Sequence, residues 1–167
     1  MDTNVATIKL IRRIICVLLI SFTLSLFPSS AVSTGTTIEK VDLDTLDSII
    51  MATATVNMVV AMAAWCKPCR EELPILEKLH RQYNRAGLAM IGLSLDANGP
   101  KKLQLLLDKH NVTFPVYWVG DDATKKYRIH GVPMTLIVKG GEIIDKIPGQ
   151  RSEEFFREMI EDLLKID

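Results

Sequence analysis

The sequence predicts an α/β sandwich in which helices flank a central mixed sheet. Segments with strand and helix periodicity alternate through most of the chain, and a hairpin followed by a helix closes it. A C-x-x-C motif lies where an apolar strand gives way to a helix. With 167 residues, of which 48% are hydrophobic, the chain is long enough for one domain with a sizeable core.

The first half of the domain is predicted from alternation and capping residues. Residues 36–41 alternate as a first strand does, and Asp42 can cap a helix over residues 43–51 whose apolar side chains share one face. Residues 56–64 form a nearly continuous apolar run, which is typical of a central strand covered on both faces. The C-x-x-C follows directly, and a helix is predicted over residues 70–85.

The second half continues the alternation. Two more strands are predicted over residues 88–95 and 113–119, and two more helices over residues 101–110 and 121–129. A hairpin over residues 134–147 is expected to turn at Gly140 and Gly141. Ser152 caps a final helix that runs to Leu164.

The N-terminal residues have the composition of an export signal. Basic residues precede an uncharged apolar run over residues 14–27, and small residues follow it. The run is shorter than the roughly 20 residues that span a bilayer, which favours a cleaved signal, but a retained anchor begins in the same way. We expect residues 1–33 to be a signal peptide or membrane anchor. Residues 34–167 would then be an exported domain, periplasmic or on the outer face of the cytoplasmic membrane.

Charge and cysteine spacing argue against two classes of function. The 20 basic and 20 acidic residues balance, and no basic tract indicates a nucleic-acid partner. Cys66 and Cys69 form the one C-x-x-C, while Cys16 lies in the N-terminal apolar run. A structural zinc site needs four ligands, and the three histidines are scattered, so we predict no metal and no cofactor.

We interpret the C-x-x-C as a redox centre. Its i, i+3 spacing brings both sulfurs to one side of a helical turn, where they can form a Cys66–Cys69 disulfide. The helix N-terminus favours a thiolate at Cys66, the predicted nucleophile and more exposed sulfur, while the deeper Cys69 resolves the mixed disulfide. Lys67 adds positive charge, and Pro68 suits an early helical position. Trp65 either offers a docking partner a flat apolar surface or packs in the core.

Four motifs, in this order, resemble the thioredoxin superfamily and most of all its exported TlpA/ResA-like branch. They are WCKPC at residues 65–69, CREELP at 69–74, FPV at 114–116 and GVPMTLIV at 131–138. The resemblance covers about two thirds of the chain and implies a thioredoxin-like three-layer sandwich. The helix over residues 101–110 and the strand after it match the extra αβ insertion of this branch.

The resemblance also implies roles for three residues. Pro133 matches the cis-proline that lies against the dithiol, and Val132 would present backbone groups to an extended substrate. Glu72 matches an acidic position that tunes the thiols, because a carboxylate there would oppose thiolate formation and could pass protons. The alternative for Glu72 is a solvated acid on the helix face.

Two positions depart from the pattern of the superfamily. Val60 replaces the buried acid of plain thioredoxin, which leaves Glu72 as the better candidate for a proton carrier. Met134 follows the cis-proline where cytochrome-maturation relatives tend to carry a glutamate. This second departure weakens a specific role in cytochrome c biogenesis.

The sequence therefore predicts an exported thiol–disulfide oxidoreductase that exchanges electrons with protein cysteines. The branch favours the reductant direction, with a membrane electron donor and oxidised protein cysteines, such as those of a cytochrome c apoprotein, as partners. Lys67 opposes this direction, since a stabilised thiolate stabilises the reduced form. The alternatives are a disulfide oxidant or isomerase of the same fold and a non-catalytic tethered binding module. A thiol peroxidase is disfavoured, because Ala63 and Val59 stand where that class carries threonine and proline.

Overall fold

The computed structural model describes residues 35–51, 56–120 and 122–165. The predicted signal or anchor over residues 1–33, with Cys16, lies outside the described residues, so the boundary after residue 33 stays a prediction. Within the described segments, no helix combines the length and the apolar character needed to cross a bilayer.

A six-stranded mixed sheet forms the middle layer. Its strands are β1 (Glu39–Lys40), β2 (Val56–Met62), β3 (Leu88–Ser94), β4 (Val116–Trp118), β5 (Met134–Lys139) and β6 (Glu142–Pro148). They lie in the order β1-β4-β3-β2-β5-β6. The first three pairs are parallel, and β5 is antiparallel to both β2 and β6. The predicted mixed sheet is confirmed.

Helices cover both faces of this sheet. They are α1 (Leu43–Met51), α2 (Lys67–Tyr83), α3 (Lys101–Lys109), α4 (Asp122–Tyr127) and α5 (Glu153–Leu164). Buried side chains of α2, α3 and α5 share one apolar cluster, and those of α1 and α4 share a second cluster on the other face. The three-layer sandwich is therefore confirmed, and α3 with β4 corresponds to the expected insertion.

The central strand β2 joins the two clusters. Its side chains alternate between the faces, so that Met58 and Val60 enter the first cluster while Val59 and Ala61 enter the second. All four are fully buried. This two-sided burial explains why the sequence of the strand is almost continuously apolar.

The first strand is shorter than predicted, because its neighbours bond elsewhere. The N–H of Thr36 donates to the carbonyl of Val112, and the N–H of Ile38 donates to the side-chain oxygen of Gln104 at 2.8 Å. These residues therefore bond to a loop and to a helix side chain, while Glu39–Lys40 pairs with β4.

Turn and cap residues act as the sequence predicts. Gly140 and Gly141 connect β5 to β6 with φ of 62° and 81°, a conformation that glycine adopts readily. The hydroxyl of Ser152 accepts the N–H of Phe155 and so caps α5. The helix after the C-x-x-C begins three residues earlier than predicted, at Lys67, because Cys66 is its cap.

Candidate active site

The C-x-x-C lies at the junction between β2 and α2, at the edge of the sheet where the parallel strands end. Cys66 and Cys69 are joined by a disulfide, with their Cα atoms 5.3 Å apart. Each residue is 4% exposed, so Cys66 is not the more exposed of the two in this oxidised form, contrary to the sequence-based expectation. The bridge itself accounts for this, because it holds both sulfurs against the same apolar cluster.

Cys66 is the N-cap of α2. Its backbone is extended, with φ −78° and ψ 107°, and its sulfur accepts the N–H of Cys69 at 3.2 Å. Pro68 lies in the first turn, where no intrahelical N–H is needed. After reduction, the N–H of Cys69 and the positive end of the helix dipole would stabilise a thiolate on Cys66.

The two charged residues expected to tune the dithiol occupy different environments. Lys67 extends into solvent, and its Nζ lies 3.6 Å from a carboxylate oxygen of Glu71. Glu72 is 1% exposed, so the alternative of a solvated acid is wrong. One oxygen of Glu72 accepts the backbone N–H of Arg151 at 2.9 Å, and the other is buried without a partner among the described residues. Burial raises the pKa of Glu72, against the opposing effect of Arg151.

The peptide bond between Val132 and Pro133 is cis, as the resemblance implies. Met134, at the start of β5, pairs with Ala61 near the end of β2, so Pro133 lies at the edge from which the chain leaves β2 toward Cys66. Val132 is half-buried and packs against the cluster that contains both cysteines. The carbonyl of Pro133 accepts the N–H of Gly149 at 2.8 Å. The sheet therefore brings the cis-proline and the dithiol to the same edge.

Trp65 does not pack in the core. Its side chain is 69% exposed, directly before Cys66 in the chain. The core-packing alternative for this residue is therefore wrong, and its role as a docking surface stays a prediction.

Residues that the sequence analysis missed fix the turn before Cys66. Both carboxylate oxygens of the buried Asp96 accept the N–H of Ala64 at 3.1 Å, and Arg70 donates to the carbonyl of Ala64 at 2.9 Å. Asp96 follows β3, and its position after a parallel strand could have indicated a site residue. Arg151 reaches Glu72 through its backbone, which leaves no signal in the sequence.

The part of the chain that the structure describes contains no group of three or more His, Cys, Asp or Glu side chains placed to hold a metal ion. Both C-x-x-C sulfurs are used in the disulfide. The geometry thus supports thiol–disulfide exchange at this edge of the sheet.

Comparison with known proteins places the chain in a family. The model of the AhpC/TSA family matches residues 26–147. The chain belongs to the AhpC/TSA family. The match includes the C-x-x-C, the insertion and the cis-proline.

Bacterial proteins of similar sequence match about half of the chain. Thiol-disulfide oxidoreductase ResA of Oceanobacillus iheyensis is 32% identical over 89 residues, which are 52% of this chain and 46% of that protein. Thioredoxin-like protein YneN of Bacillus subtilis is 28% identical over 86 residues, 51% of each chain. The chain therefore spans about half the length of these curated relatives.

Solved structures show the same fold. A thiol:disulfide interchange protein of the thioredoxin family from Chlorobium tepidum superposes with a TM-score of 0.61 at 19% identity, covering 66% of this chain and 81% of that one. StoA from Bacillus subtilis gives a TM-score of 0.55 at 21% identity, covering 64% and 82%. The fold of this AhpC/TSA member is thioredoxin-like.

Proposed function

We propose that this chain is an exported thiol–disulfide oxidoreductase that reduces protein disulfides through Cys66 and Cys69. The observation that carries the proposal is the disulfide at the start of α2, in which the sulfur of Cys66 accepts a helix N–H. The names of the similar proteins, which describe thiol-disulfide oxidoreductases, support the same chemistry.

The reaction needs only the two cysteines. In the reduced protein, the Cys66 thiolate attacks one sulfur of a substrate disulfide, and the other substrate sulfur leaves and takes up a proton. Cys69 then loses its proton and attacks the sulfur of Cys66. The second substrate thiol is released, and the Cys66–Cys69 disulfide forms again. Two electrons pass from the pair to the substrate without a metal or cofactor.

We propose that Glu72 exchanges a proton with Cys69. It follows Cys69 by three residues on α2, so the two side chains are neighbours on one face, and both are buried. Its raised pKa means that the carboxyl keeps its proton to a higher pH than an exposed glutamate does. The protonated form can donate to a leaving thiolate, and the ionised form can take the proton of Cys69.

The environments of Lys67 and Glu72 favour the reductant direction. Lys67 is solvated and lies near Glu71, so its field at the dithiol is screened, whereas the charge of Glu72 would act in the core. A buried carboxylate makes a neighbouring thiolate less stable. The reduced form is then less favoured, and the pair is a stronger reductant.

The cellular setting follows from the N-terminal sequence. A basic flank and a 14-residue apolar run, residues 14–27, support export to the periplasm or to the outer face of the cytoplasmic membrane. A membrane electron donor would re-reduce the pair there. An extended protein substrate would lie along Val132 and Pro133 beside Trp65, and an oxidised cytochrome c apoprotein is one substrate of this class.

Catalysis is tested by reduction of insulin with the full chain and dithiothreitol. Cys66→Ser should lose the rate above background, whereas Cys16→Ser, which removes the third thiol, should keep it. Equal rates for wild type and Cys66→Ser would show that the C-x-x-C is not catalytic. Cys69→Ala should trap mixed disulfides with exported proteins in cells, and the absence of any trapped protein would count against a protein substrate.

Direction is tested by the equilibrium reduction potential of the Cys66–Cys69 pair. A reductant should lie below glutathione, at about −270 mV, the value of thioredoxin, or lower. A value near that of glutathione or above it would support the oxidant or isomerase. Export is tested by fractionation, in which the chain should appear outside the cytoplasm.

A further inference from the structure

A groove beside the dithiol separates the turn before Cys66 from the insertion helix α3. It encloses a volume of about 810 Å³, within the range of pockets that bind ligands. We call it the α3 groove and define it by six of its lining side chains: Trp65, Arg70, Lys101, Lys102, Leu105 and Leu106. Its near end at Trp65 adjoins the nucleophile Cys66.

The groove displays apolar side chains that the fold leaves uncovered. Trp65 and Leu105 are each 69% exposed, and they are the two most exposed large hydrophobic residues in the described part of the chain. A second hollow of about 470 Å³ shares Lys101 and Leu105 with the groove and continues past them to Ile38. An apolar track therefore runs from the dithiol across α3.

The charge along this track is positive. Lys101 and Lys102 open α3, and neither forms an ion pair within the described residues. Arg70 is held at the wall by its hydrogen bond to the carbonyl of Ala64. Asp96 is the one carboxylate among the lining residues, and the three basic side chains Arg70, Lys101 and Lys102 outnumber it.

We propose that the α3 groove binds a segment of the protein substrate that carries both acidic and apolar side chains and flanks the target disulfide. Carboxylates would pair with Lys101 and Lys102, and apolar side chains would cover Trp65 and Leu105. This inference rests on the proposed function for the identity of the occupant. It adds to the thiol–disulfide exchange at Cys66 and Cys69 a preferred class of substrate, namely disulfides flanked by acidic and apolar residues.

Binding without redox chemistry gives the first test. Two peptides of equal length are titrated into the oxidised full chain, and binding is followed by NMR. Each peptide carries a serine in place of the target cysteine. In the acidic peptide the serine is flanked by Glu and Leu, and in the basic peptide by Lys and Leu. The acidic peptide should shift the resonances of groove residues. The double variant Lys101→Glu with Lys102→Glu should weaken the binding of this peptide about three- to tenfold. The control pair Lys109→Glu with Lys125→Glu makes the same change in net charge elsewhere and should have little effect. Leu105→Ser should weaken binding as well.

Kinetics give the second test and separate the groove from the proposed function. With cysteine-containing versions of the peptides, the groove variant should lose the preference for the acidic peptide in kcat/KM. It should still reduce the small neutral 2-hydroxyethyl disulfide at the rate of the wild type. A chain that binds the acidic peptide in the groove but reduces no disulfide would contradict the proposed function only.

Three results would overturn the groove proposal. The two peptides could bind equally well, or the control pair could weaken binding as much as the groove pair. Alternatively, sedimentation could show a dimer that Leu105→Ser dissociates, which would make a second copy of this chain the occupant.

Discussion

Replacing Glu72 by glutamine should change how stability depends on pH. Burial raises the pKa of Glu72 in the folded chain above its ordinary value of 4.5, so the folded state holds this proton more tightly than the unfolded state does. The contribution of Glu72 to the free energy of unfolding should therefore decrease as pH rises above about 4.5, until the folded pKa is passed. Glutamine does not ionise, so the variant lacks this contribution.

The magnitude follows from the linkage of one proton. A single group with a raised pKa changes the free energy of unfolding by at most about 1.4 kcal/mol per pH unit within its window. Glu72 is almost fully buried and has one hydrogen bond, from Arg151, so its ionised form has little compensation. The glutamine amide also buries donors without known partners, which adds a constant offset of about 1–3 kcal/mol. The informative quantity is thus the slope with pH.

The assay is urea unfolding of the oxidised full chain between pH 4 and 8. The disulfide removes both cysteines from the titration, so the difference between wild type and Glu72→Gln isolates the carboxyl. Glu71→Gln is the matched control, because it makes the same substitution at the neighbouring position, where the side chain is 51% exposed. The reasoning would be refuted if the free energy of unfolding of wild type and Glu72→Gln changed in parallel with pH. It would also be refuted if the wild type became more stable relative to the variant as pH rises.

Substitutions at Gly92 and Asp96 test packing and the turn before the dithiol, with Gly131→Ala and Asp96→Asn as their controls. Gly92→Ala should lower the free energy of unfolding by about 1–3 kcal/mol, because the added Cβ would lie 2.8 Å from a methyl of Val116. Gly131→Ala, which meets nothing within 4 Å, should cost less than about 0.5 kcal/mol in the same urea titration. Asp96→Ala should cost about 1–3 kcal/mol by leaving the N–H of Ala64 without an acceptor, and Asp96→Asn should recover most of the loss; equal losses for the two variants would contradict this role.

Most of the fold could be predicted because local signals and tertiary contacts agree. The apolar run of β2, the cap at Ser152 and the glycine pair at the hairpin each specify an element that the tertiary structure keeps. The length of the first strand was predicted to be greater than it is, because the N–H of Ile38 donates to the side chain of Gln104, 66 residues away, and not to a neighbouring strand. Alternation in the sequence does not reveal such long-range partners.

The sequence predicts those parts of the site whose residues are close together in the chain, and it does not predict contacts between distant residues. The pairing of Cys66 with Cys69 follows from one helical turn. The hydrogen bond that the buried Glu72 accepts comes from Arg151, 79 residues further along the chain. The α3 groove combines residues on both sides of β3, so it exists only once the sheet has formed.

The short segment between β6 and α5 contacts two parts of the site at once. The N–H of Gly149 holds the carbonyl of Pro133, and two residues later the N–H of Arg151 holds the carboxylate of Glu72. Any insertion or deletion in this segment would therefore displace Pro133, the proposed substrate contact, and Glu72, the proposed proton carrier, together. A designer who wishes to retune the redox potential without disturbing substrate docking should leave the length of this connection fixed and vary the side chain of Arg151, since its backbone makes the bond while its charge acts on Glu72.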